Sequence, residues 1–201
     1  MSLRVGIGPK SKNVKISYAS IRSADTPEGA TISMSMYWLW QKRLFYAEGL
    51  WWCFYQIGGL QYYSTSSDGL TWAARTNLAV ANNGLQPYDW DFVVDGSTIH
   101  YARKAAAASQ TLQYRKGTLV SDGTITWVAA EQTLYTVGAA ADTMLYPSIT
   151  VDTLGQPWIG INENVDATTV ASALVFMTTR TDGVWSAVDT AAGFPYSLRT
   201  D

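Results

Sequence analysis

From residue 44 onward the chain alternates short apolar runs, rich in aromatic and β-branched side chains, with turns that contain glycine. The middle stretch shows the order most plainly. A run at 88–94 meets the pair Asp95-Gly96, then come a run at 98–103, a polar and alanine-rich loop at 104–110 and a run at 111–116. The pair Asp122-Gly123 and a run at 124–128 complete it. Asp-Gly between alternating runs signals a tight hairpin, because glycine accepts the positive φ that the twisted turn demands. The pattern predicts strand, tight turn, strand, longer loop, strand, tight turn, strand. The preceding stretch repeats it with runs at 44–47, 50–55, 61–66 and 71–74, and the following one with runs at 148–152, 157–161, 174–180 and 184–188. The alanines at 105–108 are too few for a helix, so the expected class is all-β.

The repeat is visible in its punctuation. Ser66-Ser67-Asp68-Gly69-Leu70-Thr71-Trp72, Ser121-Asp122-Gly123-Thr124-Ile125-Thr126-Trp127 and Thr181-Asp182-Gly183-Val184-Trp185 are variants of one turn. Their tryptophans lie 55 and 58 residues apart. A period of that length filled by four strands predicts a β-propeller of four-stranded antiparallel blades. Three blades are legible, at 44–80, 86–134 and 145–190. Residues 1–43 form an arm or partial blade, with strands expected at 14–21 and 30–40. Three blades are few for a closed ring. The chain therefore reads as part of an incomplete or shared six-bladed ring, or as an irregular four-bladed one. Open edges and uncovered blade faces favour sharing the ring with a second copy or with further blades of a longer chain.

The three turns resemble the Asp boxes, or BNR repeats, of the sialidase-like propellers, whose pattern is Ser-x-Asp-x-Gly-x-Thr-Trp. The resemblance implies that Asp68, Gly69, Trp72, Asp122, Gly123, Trp127, Asp182, Gly183 and Trp185 are structural. Such an aspartate accepts backbone N–H groups inside the turn, and the tryptophan seals the blade edge. This chain departs from the pattern: Asp and Gly are adjacent in all three copies, and the Asp-to-Trp interval is four, five and three in chain order. The family's catalytic set is an arginine triad, a Tyr nucleophile assisted by Glu, and an Asp acid/base. Arg43, Arg103, Arg115 and Arg180 stand at unlike blade positions, so no catalytic residue carries over.

Composition narrows the chemistry. In 201 residues there are nine Trp and twelve Tyr against five Phe, and only 15% of residues are charged. Trp and Tyr bury large areas while keeping a polar handle, which suits stacked sheets first and sugar-binding surfaces second. The net charge of −2 carries no footprint for nucleic acid. Arg4, Lys10, Lys12, Lys15 and Arg22 fit a solvated N-terminal arm. Residues 1–10 lack an apolar signal-peptide core, and no run approaches the roughly 20 apolar residues of a membrane span. Cys53 and His100 sit within apolar runs as packed residues, with no metal or cofactor expected.

Strand alternation sorts the loops by end. The first and third connections of each blade share one end, which gathers the tight turns. The second connection and the link between blades share the other, which gathers the longer loops where binding residues concentrate. At that end the starts of the innermost strands nominate Tyr46, Tyr88, Asp89, Trp90 and Tyr146 as glycan-binding candidates, because aromatic faces stack on sugar rings and carboxylates accept hydroxyl hydrogen bonds. The run Tyr88-Asp89-Trp90-Asp91 fits equally a tryptophan packed between blades and an aspartate capping a loop. Glycoside hydrolysis would need two carboxyl groups, for which Asp91 and Glu163 are the candidates. The expected function is non-catalytic recognition of a glycan at an extracellular, virion or cell surface, with a glycoside hydrolase or a structural subunit as alternatives.

Overall fold

The computed structural model describes residues 43–78, 85–86, 88–106, 109–137, 143–165 and 169–198, so the readings for 1–42 lie outside the described residues. Three antiparallel sheets follow one another along the chain. The first contains β1 (Leu44–Ala47), β2 (Leu50–Ile57), β3 (Leu60–Ser66) and β4 (Thr76–Asn77). The second contains β5 (Trp90–Asp95), β6 (Thr98–Lys104), β7 (Thr111–Leu119) and β8 (Ile125–Trp127), with β9 (Gln132–Thr136) also paired to β7. The third contains β10 (Thr143–Val151), β11 (Pro157–Val165), β12 (Thr169–Met177) and β13 (Tyr196–Ser197). Each is a meander in sequence order, and the only helical element among the described residues is a single 3-10 turn at Ala187–Asp189.

The outer strands differ from expectation. In the first sheet the fourth strand is β4, not residues 71–74. In the third, residues 184–188 form no strand; Trp185 turns into the core, the 3-10 turn follows, and β13 supplies the edge. An Asp-to-Trp interval of three leaves too little chain to pair alongside β12 and bury the indole as well. Strand β9 escaped the sequence reading because the run Gln132–Thr136 carries only weak alternation.

The sheets stack face on face, as blades do. In β6 the side chains of Ile99 and Tyr101 join Trp52, Phe54 and Tyr63 of the first sheet in one core. Ala102, on the opposite face, joins Ile159 and Phe176 of the third sheet in another. Strand alternation thus divides one sheet between two cores. The innermost strands β5 and β10 lie beside each other. This is an all-β, propeller-like arrangement.

The aspartate turns hold the ends rigid. Asp68 Oδ1 accepts from the backbone N–H groups of Leu70 and Thr71, at 2.8 Å each, and from Ser66 Oγ at 3.0 Å. Those donors hold its carboxyl at about 2, below the ordinary value. Asp122 Oδ1 accepts from Thr124 N and Oγ1, and Asp182 Oδ1 accepts from Val184 N. A further turn of this kind sits between β10 and β11: Asp152 accepts from Leu154 N, Gln156 N and the Trp158 indole. The trailing tryptophans diverge. Trp72 is half-buried. Trp127 lies under the guanidinium of Arg115, at 4.1 Å. Trp185 is buried between the second and third sheets, edge-on to Tyr114.

Candidate functional site

The end of the sheets opposite the aspartate turns is built on β5 and β10. Two rungs join the strands. The rings of Tyr88 and Tyr146 stand 5.2 Å apart at 56°. Three residues further on, Asp91 Oδ2 accepts from Ile149 N at 3.1 Å. Both rungs link positions 58 apart, so the two strands run in the same direction with repeat-equivalent residues in contact. That interval equals the one separating Trp127 from Trp185.

Tyr146 is aimed by distorted backbone. The register of β10 against β11 shifts between Leu145 and Ser148, and Tyr146 within that shift has φ of +55°. A bulge redirects a side chain, and a bulky residue in the left-handed region is an outlier that its surroundings must impose. The result is an exposed ring, 47% accessible, against the half-buried Tyr88. Burial, and then the nearby Asp89 charge, raise the Tyr88 hydroxyl pKa, so Tyr88 presents a neutral phenol.

Behind the pair lies a buried polar layer. Trp90 has no accessible surface: its indole N–H donates to Gln56 Oε1 at 2.9 Å, and the Arg43 guanidinium lies 3.5 Å from its ring centroid. Gln56 in turn donates to the Leu85 carbonyl. Burial lowers Arg43 to about 10, against the pull of Asp91, and it stays charged at neutral pH. Asp89 is enclosed, accepting from Gln86 N at 2.7 Å and standing 3.4 Å from Lys104 Nζ. Burial raises its carboxyl, and raises Asp91 likewise, against the hydrogen bonds from Ile149, Phe92 and Ser148. Arg103 forms a two-pronged pair with Glu131, at 2.6 and 2.5 Å. Glu163, on β11, accepts from Tyr135 OH at 3.4 Å.

The nominated residues therefore separate. Tyr88 and Tyr146 come together on the surface. Trp90 and Asp89 are walled into the joint between sheets, where an indole cannot stack on a sugar; the packing alternative holds for Trp90. Tyr46 stands edge-on to Trp51, three residues before the turn glycine at 49, and so belongs to the aspartate-turn end rather than to this one. Sequence reading missed Gln56 and Lys104 as the side chains that fix Trp90 and Asp89. Their signal was alternation, since Gln56 continues the face of Trp52 and Phe54 on β2, and Lys104 continues that of His100 and Ala102 on β6. Among the described residues no cluster of His, Cys, Asp and Glu could hold a metal ion, and no helix is long and apolar enough to cross a membrane.

No family profile and no curated protein matches the chain. Among solved structures it is similar to an endo-arabinase from Bacteroides thetaiotaomicron, with 12% identity and a TM-score of 0.44 over 79% of this chain and 61% of that one. It is also similar to a point mutant of NanB sialidase from Streptococcus pneumoniae, with 16% identity and a TM-score of 0.44 over 71% of this chain and 22% of that one. The chain thus spans under two thirds of either protein's length. Strand order and face-to-face packing within the chain itself define its all-β, propeller-like class.

Proposed function

We propose that the chain is a non-catalytic recognition module of the sialidase-like, Asp-box kind, binding a surface glycan through Tyr88 and Tyr146. The observation that carries this reading is the exposed tyrosine pair, held at the inner edge of two sheets by a bulge and a left-handed tyrosine. Solvent alone gives no reason to keep a bulky residue in that conformation. A rigid aromatic pair offers apolar faces to a sugar ring and hydroxyls to its edge, at little entropic loss.

Recognition is favoured over hydrolysis because each candidate carboxylate is already engaged: Asp89 with Lys104 and Gln86, Asp91 with Ile149, Glu163 with Tyr135. One observation supports the hydrolytic alternative. Burial raises the Asp91 carboxyl, as a general acid requires. The proposed setting is extracellular, on a virion or cell surface, with the chain joined to further blades or to another copy.

A glycan array followed by titration calorimetry tests the reading. Binding by the parent chain, weakened about tenfold or more in Tyr88→Ala and Tyr146→Ala, is the expected result. No binding to any glycan by the folded parent would overturn it. Cleavage of aryl glycosides, abolished in Asp91→Asn, would replace it with the hydrolase.

A further inference from the structure

Strand β10 keeps step with one neighbour and loses it with the other. Against β11 it carries an extra residue: the three steps from Leu145 to Ser148 oppose the two from Asn162 to Gly160. Against β5 the step is even. Tyr88 to Asp91 and Tyr146 to Ile149 are both intervals of three, closed at one end by the ring contact and at the other by the Asp91–Ile149 bond. The bulge lies between those two ends.

This stretch of backbone is costly to hold. Tyr146 has φ of +55°, and it precedes Pro147, whose ring pushes the residue before it toward extended backbone. A slip of β10 by one residue would remove the bulge and the left-handed tyrosine together. Such a slip turns each side chain to the opposite face, and Tyr146 would leave Tyr88. The bond that blocks the slip is the one past the bulge, where Asp91 Oδ2 accepts from Ile149 N at 3.1 Å. Groups from all three sheets converge on that carboxylate. Ser148 and Ile149 come from β10, Asp91 itself from β5, and the Arg43 guanidinium from the residue leading into β1.

We propose that Asp91 is a positioning residue for recognition: its bond to Ile149 N locks β10 in step with β5 and so aims Tyr146 at Tyr88. This rests on the reading of the tyrosine pair as the binding site. The task needs an acceptor oxygen and no transferable proton. An amide in place of the carboxyl therefore preserves positioning, whereas it would abolish general-acid catalysis.

Hydrogen exchange at the Ile149 amide, with fluorine NMR of fluorotyrosine carried at Tyr146, tests this in the full chain. The parent should protect the Ile149 amide, and Tyr88→Leu should move the fluorine signal by removing the neighbouring ring. In Asp91→Ala the Ile149 amide should exchange about tenfold faster or more, and the fluorine signal should leave its parent position. Asp91→Asn should keep both close to the parent. An unprotected Ile149 amide in the parent overturns the proposal without recourse to a variant. So does an unmoved fluorine signal in folded Asp91→Ala, or a signal displaced in Asp91→Asn as far as in Asp91→Ala. Neither readout contains a sugar, so failure of glycan binding and failure of the positioning role are seen separately.

Discussion

Gly123, in the outer turn of the second sheet, lies so close to Thr65 of the first that a Cβ built on it would stand 2.7 Å from Thr65 Oγ1. The third sheet repeats the contact: at Gly183 a Cβ would stand 3.0 Å from Lys116 Cδ, and Lys116 Nζ donates to the Thr181 carbonyl. These two aspartate-glycine turns thus dock on the third strand of the preceding sheet. The glycine serves two ends, its positive φ within the turn and its close approach outside it. This accounts for glycine immediately after aspartate at both positions.

Gly123→Ala is expected to destabilise the chain by about 2–3 kcal/mol, combining left-handed strain with crowding against Thr65. Gly96→Ala is the control. Gly96 has φ of +58° and open space around it, so only the backbone effect of about 1 kcal/mol remains. Urea midpoints measure both, and Thr65→Ala in the Gly123→Ala background should recover part of the loss. Equal losses at 96 and 123 would remove the docking role.

Glu131→Ala should cost about 3–5 kcal/mol, because it leaves the Arg103 guanidinium charged, enclosed and short of its two-pronged partner. Retained donation to the Lys104 and Ala105 carbonyls softens the loss without replacing a counter-charge. Glu131→Gln, which keeps acceptor oxygen, should lose less. Denaturant titration at neutral pH reads the difference.

His100 should make the fold sensitive to mild acid. Its ring is buried against Tyr114 OH at 2.8 Å, and burial, with Lys116 nearby, lowers its pKa from 6.5 to about 4. The unfolded chain therefore binds the proton first. Stability is full above about pH 6.5 and falls toward pH 4, by up to ~1.4 kcal/mol per pH unit. Asp89 and Asp91, whose carboxyls are raised, act in the opposite sense as pH falls. The diagnostic quantity is thus the difference between parent and His100→Gln, with a flatter profile expected for the variant across that window.

Tyr146→Gly should separate binding from folding. Relief of the left-handed tyrosine offsets the lost ring contact, so stability should stay within about 1 kcal/mol of the parent, while glycan binding disappears. Trp90→Ala, by contrast, empties a fully buried site and should cost about 3–5 kcal/mol. Thermal melts beside binding isotherms distinguish the two, and binding retained in folded Tyr146→Gly would disprove the assignment of the site.

The amino-acid sequence by itself determined the class and the repeat. Period-two alternation and glycine-bearing turns are local signals, because side-chain direction in a strand and positive φ in a turn depend only on neighbouring residues. Residues such as Asp68, Asp122 and Asp182 were therefore legible as turn residues before any contact was known. Tertiary structure alone decided which aromatics face solvent. Trp90 and Tyr88 stand two residues apart in one run, yet Gln56 and Arg43, brought from another sheet, enclose the first, while a register shift in β10 leaves Tyr146 beside the second. Tyr46 shows the same limit, since the end at which it lies depends on where β1 turns. Exposure is a property of what packs above a residue, and those partners lie tens of positions away along the chain.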